Sequence, residues 1–265
     1  MLRSLKLNKN LVIIAASYAI GLTIILALIG YAGVSNVIEN IMRKMTYQLF
    51  AITFILDITG LIFYALIWHI LLLGTGSKVK FKVSLSSTWA SIFIMYLSPT
   101  GIIVELLKII LTNKEGKVNI GKGMAAFMMQ RIIYSISFIT IAIVSYLIAQ
   151  YRYVIIGEMI GRIISALIMI AIATIITLII IGIKAEKIEE IILRIYEKYQ
   201  DNINKILSKY DSMEIVNSIS STINEFKNSF QELKNNKTHL ITVFILTTAN
   251  WVLNVTILYV VLLSL

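Results

Sequence analysis

Cysteine is absent from the 265 residues, and proline occurs once, at Pro99. With no cysteine there is no disulfide framework and no thiolate metal site. The two histidines, His69 and His239, are far apart in sequence and show no metal-ligand spacing. Asp57 is the only aspartate before Asp201, so the paired-aspartate metal motif of sugar-nucleotide transferases is missing. No phosphate-binding loop of the Walker type occurs, and Gly121-Lys122-Gly123 lacks the strand-loop-helix setting that motif needs. These absences leave no catalytic residue, no cofactor and no metal site to assign, and argue against an enzyme. Charge is also scarce: 14% of residues are charged, against about a quarter in an ordinary soluble domain.

What the chain does have is long uncharged stretches. Residues 10–38, 132–151, 163–183 and 240–265 carry no charge over 29, 20, 21 and 26 positions. About 20 apolar residues are needed for a helix to cross a bilayer, and no short alternating segments suggest a membrane barrel. The sequence therefore predicts an all-α, multi-pass membrane protein with about five full spans. These lie near 11–31, 47–73, 123–150, 155–183 and 239–265. The net charge of +10 suits anionic lipid rather than nucleic acid, because many lysines and arginines flank apolar runs. The basic flanks place the N-terminus in the cytoplasm of a cell-membrane protein, with a short amphipathic stretch over 34–45. Gly157 and Gly161 read as close-packing positions.

Residues 83–111 are long enough to cross but are interrupted by Ser98-Pro99-Thr100-Gly101. Proline removes a helical donor and clashes with the preceding turn, and glycine adds a flexible break. Neither half crosses alone. Lysines at 78–82 precede the region and Lys114, Lys117 and Lys122 follow it, so the charge rule favours a re-entrant hairpin with both basic loops in the cytoplasm. A helix starting at Gly101 in mid-membrane, next to Thr100, points free amides at a cavity and makes an anion site.

Arg131 follows Lys122 by nine residues, which would put it near the bilayer midplane. There its guanidinium fork would suit a lipid phosphate, with Glu105 or Asp57 as its protein partner. Three plainer roles stand beside these. Arg131 can be the flank of the run 132–151, although Met124 to Met129 would then be an apolar stretch in water. Glu105 and Lys108 can pair structurally at i,i+3. Asp57 can hold the bundle together through hydrogen bonds.

Residues 184–237 differ in kind, with nine basic and nine acidic residues. Ile188, Ile192, Ile195, Tyr199, Ile203, Ile206 and Tyr210 recur every three or four positions, as do Ile219, Ile223, Phe226, Phe230 and Leu233. This predicts an amphipathic helical hairpin turning near Asp211. Its apolar stripe needs a partner: the other helix, the membrane surface, or a second copy of the chain. The organisation is then a membrane bundle over 1–183, a cytoplasmic hairpin over 184–237 and a final span over 238–265.

These residues carry a resemblance. The stretch Trp68 to Phe138 resembles the flippase-like family known from the membrane region of lysylphosphatidylglycerol synthases. Trp68 precedes the leucines 71–73; Pro99 and Gly101 make the break; Glu105 and Lys108 follow as an acidic and then a basic residue. Gln130-Arg131 stands where the family has a Glu-Arg pair, and Val104 stands where it has glycine before the glutamate. The second glycine-rich break of the family, near the C-terminus, has no counterpart, so the chain reads as a short or truncated member. The resemblance implies lipid handling without an aminoacyl-transfer activity. The expected partners are membrane lipids, either an anionic phospholipid or a polyprenyl phosphate carrier, bound through Arg131, Glu105, Lys108, Gly101, Thr100 and Asp57. The alternative is a non-transporting subunit that docks or dimerises through its helical hairpin.

Overall fold

A computed structural model describes residues 22–23, 26–27, 30–31, 33, 46–97, 101–151, 157–199 and 212–264. Every regular element among them is helical. The elements are α1 (Tyr47–Gly74), α2 (Phe81–Leu97), α3 (Gly101–Gly116), α4 (Ile120–Tyr151), α5 (Glu158–Ile183), α6 (Ala185–Lys198), α7 (Ser212–Asn235) and α8 (Lys237–Ser264). Four of them, α1, α4, α5 and α8, are long and apolar enough to cross a membrane. They coincide with four of the five expected spans. Of the expected first span, residues 22, 23, 26, 27, 30 and 31 are helical. The amphipathic stretch at 34–45, most of the loop around Arg152 and the turn near Asp211 lie outside the described residues.

Helix boundaries follow local chemistry. Asn119 precedes α4 and its side chain accepts from the Gly121 amide at 3.0 Å, satisfying a donor that the first turn leaves free. Asn236 does the same for α8, accepting from the His239 amide at 3.3 Å. At the end of α1 the amides of Thr75 and Gly76 turn back onto carbonyls of the last turn, and Gly76 has φ +69°, a backbone state that suits glycine.

The long helices pack in a defined order. Helix α8 lies antiparallel along α1. The Thr46 amide bonds the Ser264 carbonyl at 2.7 Å at one end, and His239 approaches Gly74 at the other. Helix α4 packs on both, with Thr248 Oγ1 3.3 Å from Ser137 Oγ and Trp251 against the rings of Tyr134 and Phe138. Helix α5 packs on α4, and most of its large side chains are exposed.

Helices α2 and α3 form an antiparallel hairpin. The start of α2 meets the end of α3, with Ser86 donating to Glu115 at 3.0 Å and Gly116 against Val79 and Val83. The break expected at Ser98-Pro99-Thr100 lies outside the described residues, between the end of α2 at Leu97 and the start of α3 at Gly101. Neither helix is among the four of spanning length.

One end of the bundle therefore collects the lysines of 78–82 and 114–122. Helix α7 lies across it. Its Phe226, Phe230 and Leu233 are buried and its seats are glycines. A Cβ on Gly121 would fall 2.3 Å from the Thr222 carbonyl oxygen, one on Gly182 2.4 Å from the Phe230 ring, and one on Gly74 2.7 Å from Leu233. The apolar stripe of this helix is thus used on the chain's own bundle. The close-packing role expected of Gly157 and Gly161 is not found: no described atom lies within 4 Å of a Cβ at either. The closest approaches, under 3.0 Å, belong to glycines near the helix ends.

Candidate functional site

Glu105 is the junction of a charged cluster in the interior. It stands in the second turn of α3 and is 7% exposed. The Tyr64 hydroxyl donates to it at 2.9 Å. Arg131 of α4 donates to the same carboxylate in an ion pair, and Lys108, one turn along α3, pairs with its other oxygen at 2.7 Å. One carboxylate thus serves two cations, leaving one positive charge in excess among these three.

The two cations differ in access. Lys108 is fully buried. Its ammonium sits 4.3 Å from the Trp68 ring centre and 5.0 Å from that of Tyr64, and it donates to the Gln130 amide oxygen at 3.0 Å. Aromatic faces and a carboxylate are what make an ammonium tolerable in such a place. Trp68 is fixed in turn by donating to Thr112 at 3.2 Å, and Thr112 lies 3.0 Å from Ser87 Oγ. Arg131, by contrast, has a side chain 42% exposed, stacked on Phe127 with its guanidinium carbon 5.3 Å from the ring centre.

Arg131 also lies inside the span, since α4 begins at Ile120. At 1.5 Å per residue it is about 16 Å from the first residue of that helix. It faces a cavity of about 340 Å³ lined by α1, α2, α3, α4 and α8, in which Asp57 and Glu105 also take part. Three of the residues expected at the site, Arg131, Glu105 and Asp57, are thereby brought to one space. Lys108 stands behind Glu105 and does not line it. Gly101 is the first residue of α3, one turn before Glu105.

The cavity has further polar lining: Tyr64, Ser91, Tyr134, Asn250 and Asn254. None of these was evident from charge and break positions. The available signal was Asn250 and Asn254 at i,i+4 inside an otherwise uncharged span, where polar residues usually serve a function. Asn250 is 7% exposed; its Nδ2 lies 3.4 Å from the Tyr134 hydroxyl and its Oδ1 has no partner among the described residues. Gln130 is also informative. It points its amide oxygen at Lys108 rather than at Arg131, so a neutral side chain there preserves the cluster's excess positive charge. Among the described residues no group of His, Cys, Asp and Glu is placed to hold a metal ion.

A family model described as the lysylphosphatidylglycerol synthase TM region matches residues 18–265. No curated protein and no solved structure matches the chain.

Proposed function

We propose, from the premise that the chain belongs to the lysylphosphatidylglycerol synthase TM-region family, that this multi-pass membrane protein binds a phosphate-bearing lipid head group and helps move it across the bilayer. The observation that carries this is Arg131. It is an arginine well inside a spanning helix, half held by Glu105, half open to a polar cavity. Such a charge is costly in hydrocarbon unless it is paired or hydrated, and the pairing here leaves guanidinium N–H groups free to face the cavity. A phosphate competes for the fork that Glu105 occupies, which allows both capture and release. The ligand is an anionic phospholipid or a polyprenyl phosphate carrier.

The α2–α3 hairpin then enters the membrane and returns, so that both lysine loops, α6 and α7 face the cytoplasm together with the N-terminus. The antiparallel pairing of α2 and α3 supports this, because it brings the two basic loops to one end. A non-transporting docking role is favoured by one feature, the exposed Ile191, Ile192 and Ile195 on α6 with Tyr199 just after it.

The deciding experiment is lipid retention by purified protein, read by native mass spectrometry. Arg131→Ala should lose anionic phospholipid several-fold while staying folded, and Arg131→Lys should fall between. Wild-type retention by folded Arg131→Ala would place the site elsewhere. In cells, Lys78→Cys and Lys117→Cys should label from the same side of the membrane. Labelling from opposite sides would rule out the re-entrant hairpin.

A further inference from the structure

Helix α6 carries two apolar faces, and the bundle uses one of them. Ala185 and Tyr196 are buried, and Lys227 of α7 pairs with Glu186. At about 100° per residue, Ile191, Ile192, Ile195 and Tyr199 fall together on a neighbouring arc. All four are exposed, Ile191 and Ile195 by more than half. Glu186, Lys187, Glu190, Arg194, Glu197 and Lys198 fall on a third arc that contains no apolar residue. The setting of α6 indicates what covers the open face. Only Lys184 separates it from the span α5. Had α6 continued the axis of α5, Ile192 would stand about 16 Å beyond Ile181. Instead the two line one apolar groove of about 180 Å³, with Met124 and Met128 of α4 and Phe226 of α7. Met128 is about 12 Å along α4 from its first residue. Helix α6 is therefore turned sideways and runs across the ends of the spans rather than away from them. Just before it on α5, Ile176, Ile180 and Ile183 are exposed, on a span whose solvent is hydrocarbon. The open stripe of α6 follows that lipid-facing surface directly in the chain.

We infer that α6 is an interfacial helix whose partner is the bilayer surface. It lies in the plane of the leaflet at the lysine end of the bundle, with Ile191, Ile192, Ile195 and Tyr199 at the boundary of head groups and acyl chains. Its charged arc then meets water, as in other helices that lie on a membrane. Tyr199 suits that depth, since it joins an apolar ring to a polar hydroxyl. What holds α6 there is apolar area and not charge. The helix has three basic and four acidic residues, so attraction to anionic head groups adds nothing. This inference concerns the outer surface of the molecule and does not depend on a phosphate at Arg131.

The test uses the full chain, which has no cysteine of its own, in nanodiscs of phosphatidylcholine. A nitroxide is attached through Ile195→Cys on the open stripe or through Arg194→Cys on the charged arc. Electron paramagnetic resonance then reads collisions with oxygen, which concentrates in hydrocarbon, and with a nickel chelate, which stays in water. The oxygen-to-nickel ratio should be several-fold higher at 195 than at 194. It should not change when phosphatidylglycerol is added to the nanodiscs. Ile191→Glu should lower the ratio at 195 towards that at 194, and Ile191→Leu should leave it as it was. Equal ratios at the two positions would overturn the inference and place α6 in water. Low collision rates with both reagents at 195 would overturn it in favour of a protein contact, which dipolar broadening between labels would identify as a second copy. A high ratio that appears only with phosphatidylglycerol would overturn the apolar anchor in favour of head-group charge.

Discussion

Helix α3 holds Glu105, Lys108, Lys114 and Glu115 within 16 residues, while α5 has no charge from Ile163 to Ile183. In water the second would be buried and the first would lie on the surface. Here the order is reversed. Lys108 is 0% exposed and Glu105 7%, whereas Met169 and Ile170 on α5 are 65% and 63% exposed. Hydrocarbon is the solvent around α5, so its apolar faces need no protein partner, and packing within the bundle goes to the groups that lipid cannot satisfy. The contrast locates, without reference to any ligand, the place where charge has been drawn inward and then held.

The sharpest way to break this contrast is to disturb the charge balance of α3. Glu105→Leu leaves Lys108 fully buried with no counter-ion and Arg131 without its partner. It should cost about 3–5 kcal/mol, read as a large drop in the unfolding midpoint in detergent. Lys108→Met removes a buried cation and keeps the Glu105–Arg131 pair, so it should cost much less. Equal losses for the two would mean that Glu105 does not anchor the cluster.

The next effect is expected at the glycine seats. Gly121→Leu puts a side chain onto the backbone of α7, so α7 should leave the bundle, and protease should cut within residues 212–235 while the spans stay intact. Gly161→Leu on α5 has open space and should change nothing. If both variants keep α7 protected, the bundle end yields more easily than the contact distances imply.

The smallest effect belongs to the surface. Met169→Leu on the exposed face of α5 should stay within about 0.5 kcal/mol of wild type. A larger loss would mean that this face packs on protein, for example on a second copy of the chain.

The same contrast explains what the sequence made legible. Spans announce themselves through long apolar runs, so α1, α4, α5 and α8 could be placed in advance, and the lone proline falls between α2 and α3. Arg131, Glu105 and Asp57 stood out because a charge in an apolar run has few permissible settings. Asn250, Tyr64 and Tyr134 did not, because a polar residue that is uncharged lowers hydropathy only slightly. Whether such a residue faces lipid or a neighbouring helix depends on the rotation of the helix, which is set by packing between segments far apart in the chain. The inward direction of Lys108 was hidden for the same reason: besides Glu105, it is Tyr64, Trp68 and Gln130, brought by other helices, that make that burial tolerable. The glycine seats at 74, 121 and 182 were hidden because what they contact is a helix made much later.

That lateness bears on how the protein is assembled. Helix α8 lies along α1, and the two are about 190 positions apart in the chain. At the usual pace of roughly 5–20 residues per second, α1 waits on the order of 10–40 seconds in the membrane before its partner emerges. During that interval Asp57 and Gly60 have no wall opposite them, and Arg131 arrives before Asn250 exists. The Glu105 cluster can close on its own residues, but a nascent chain leaves Asp57 and the cavity without their α8 wall until residues 237–264 insert. Insertion factors that shelter polar spans should be needed for that interval.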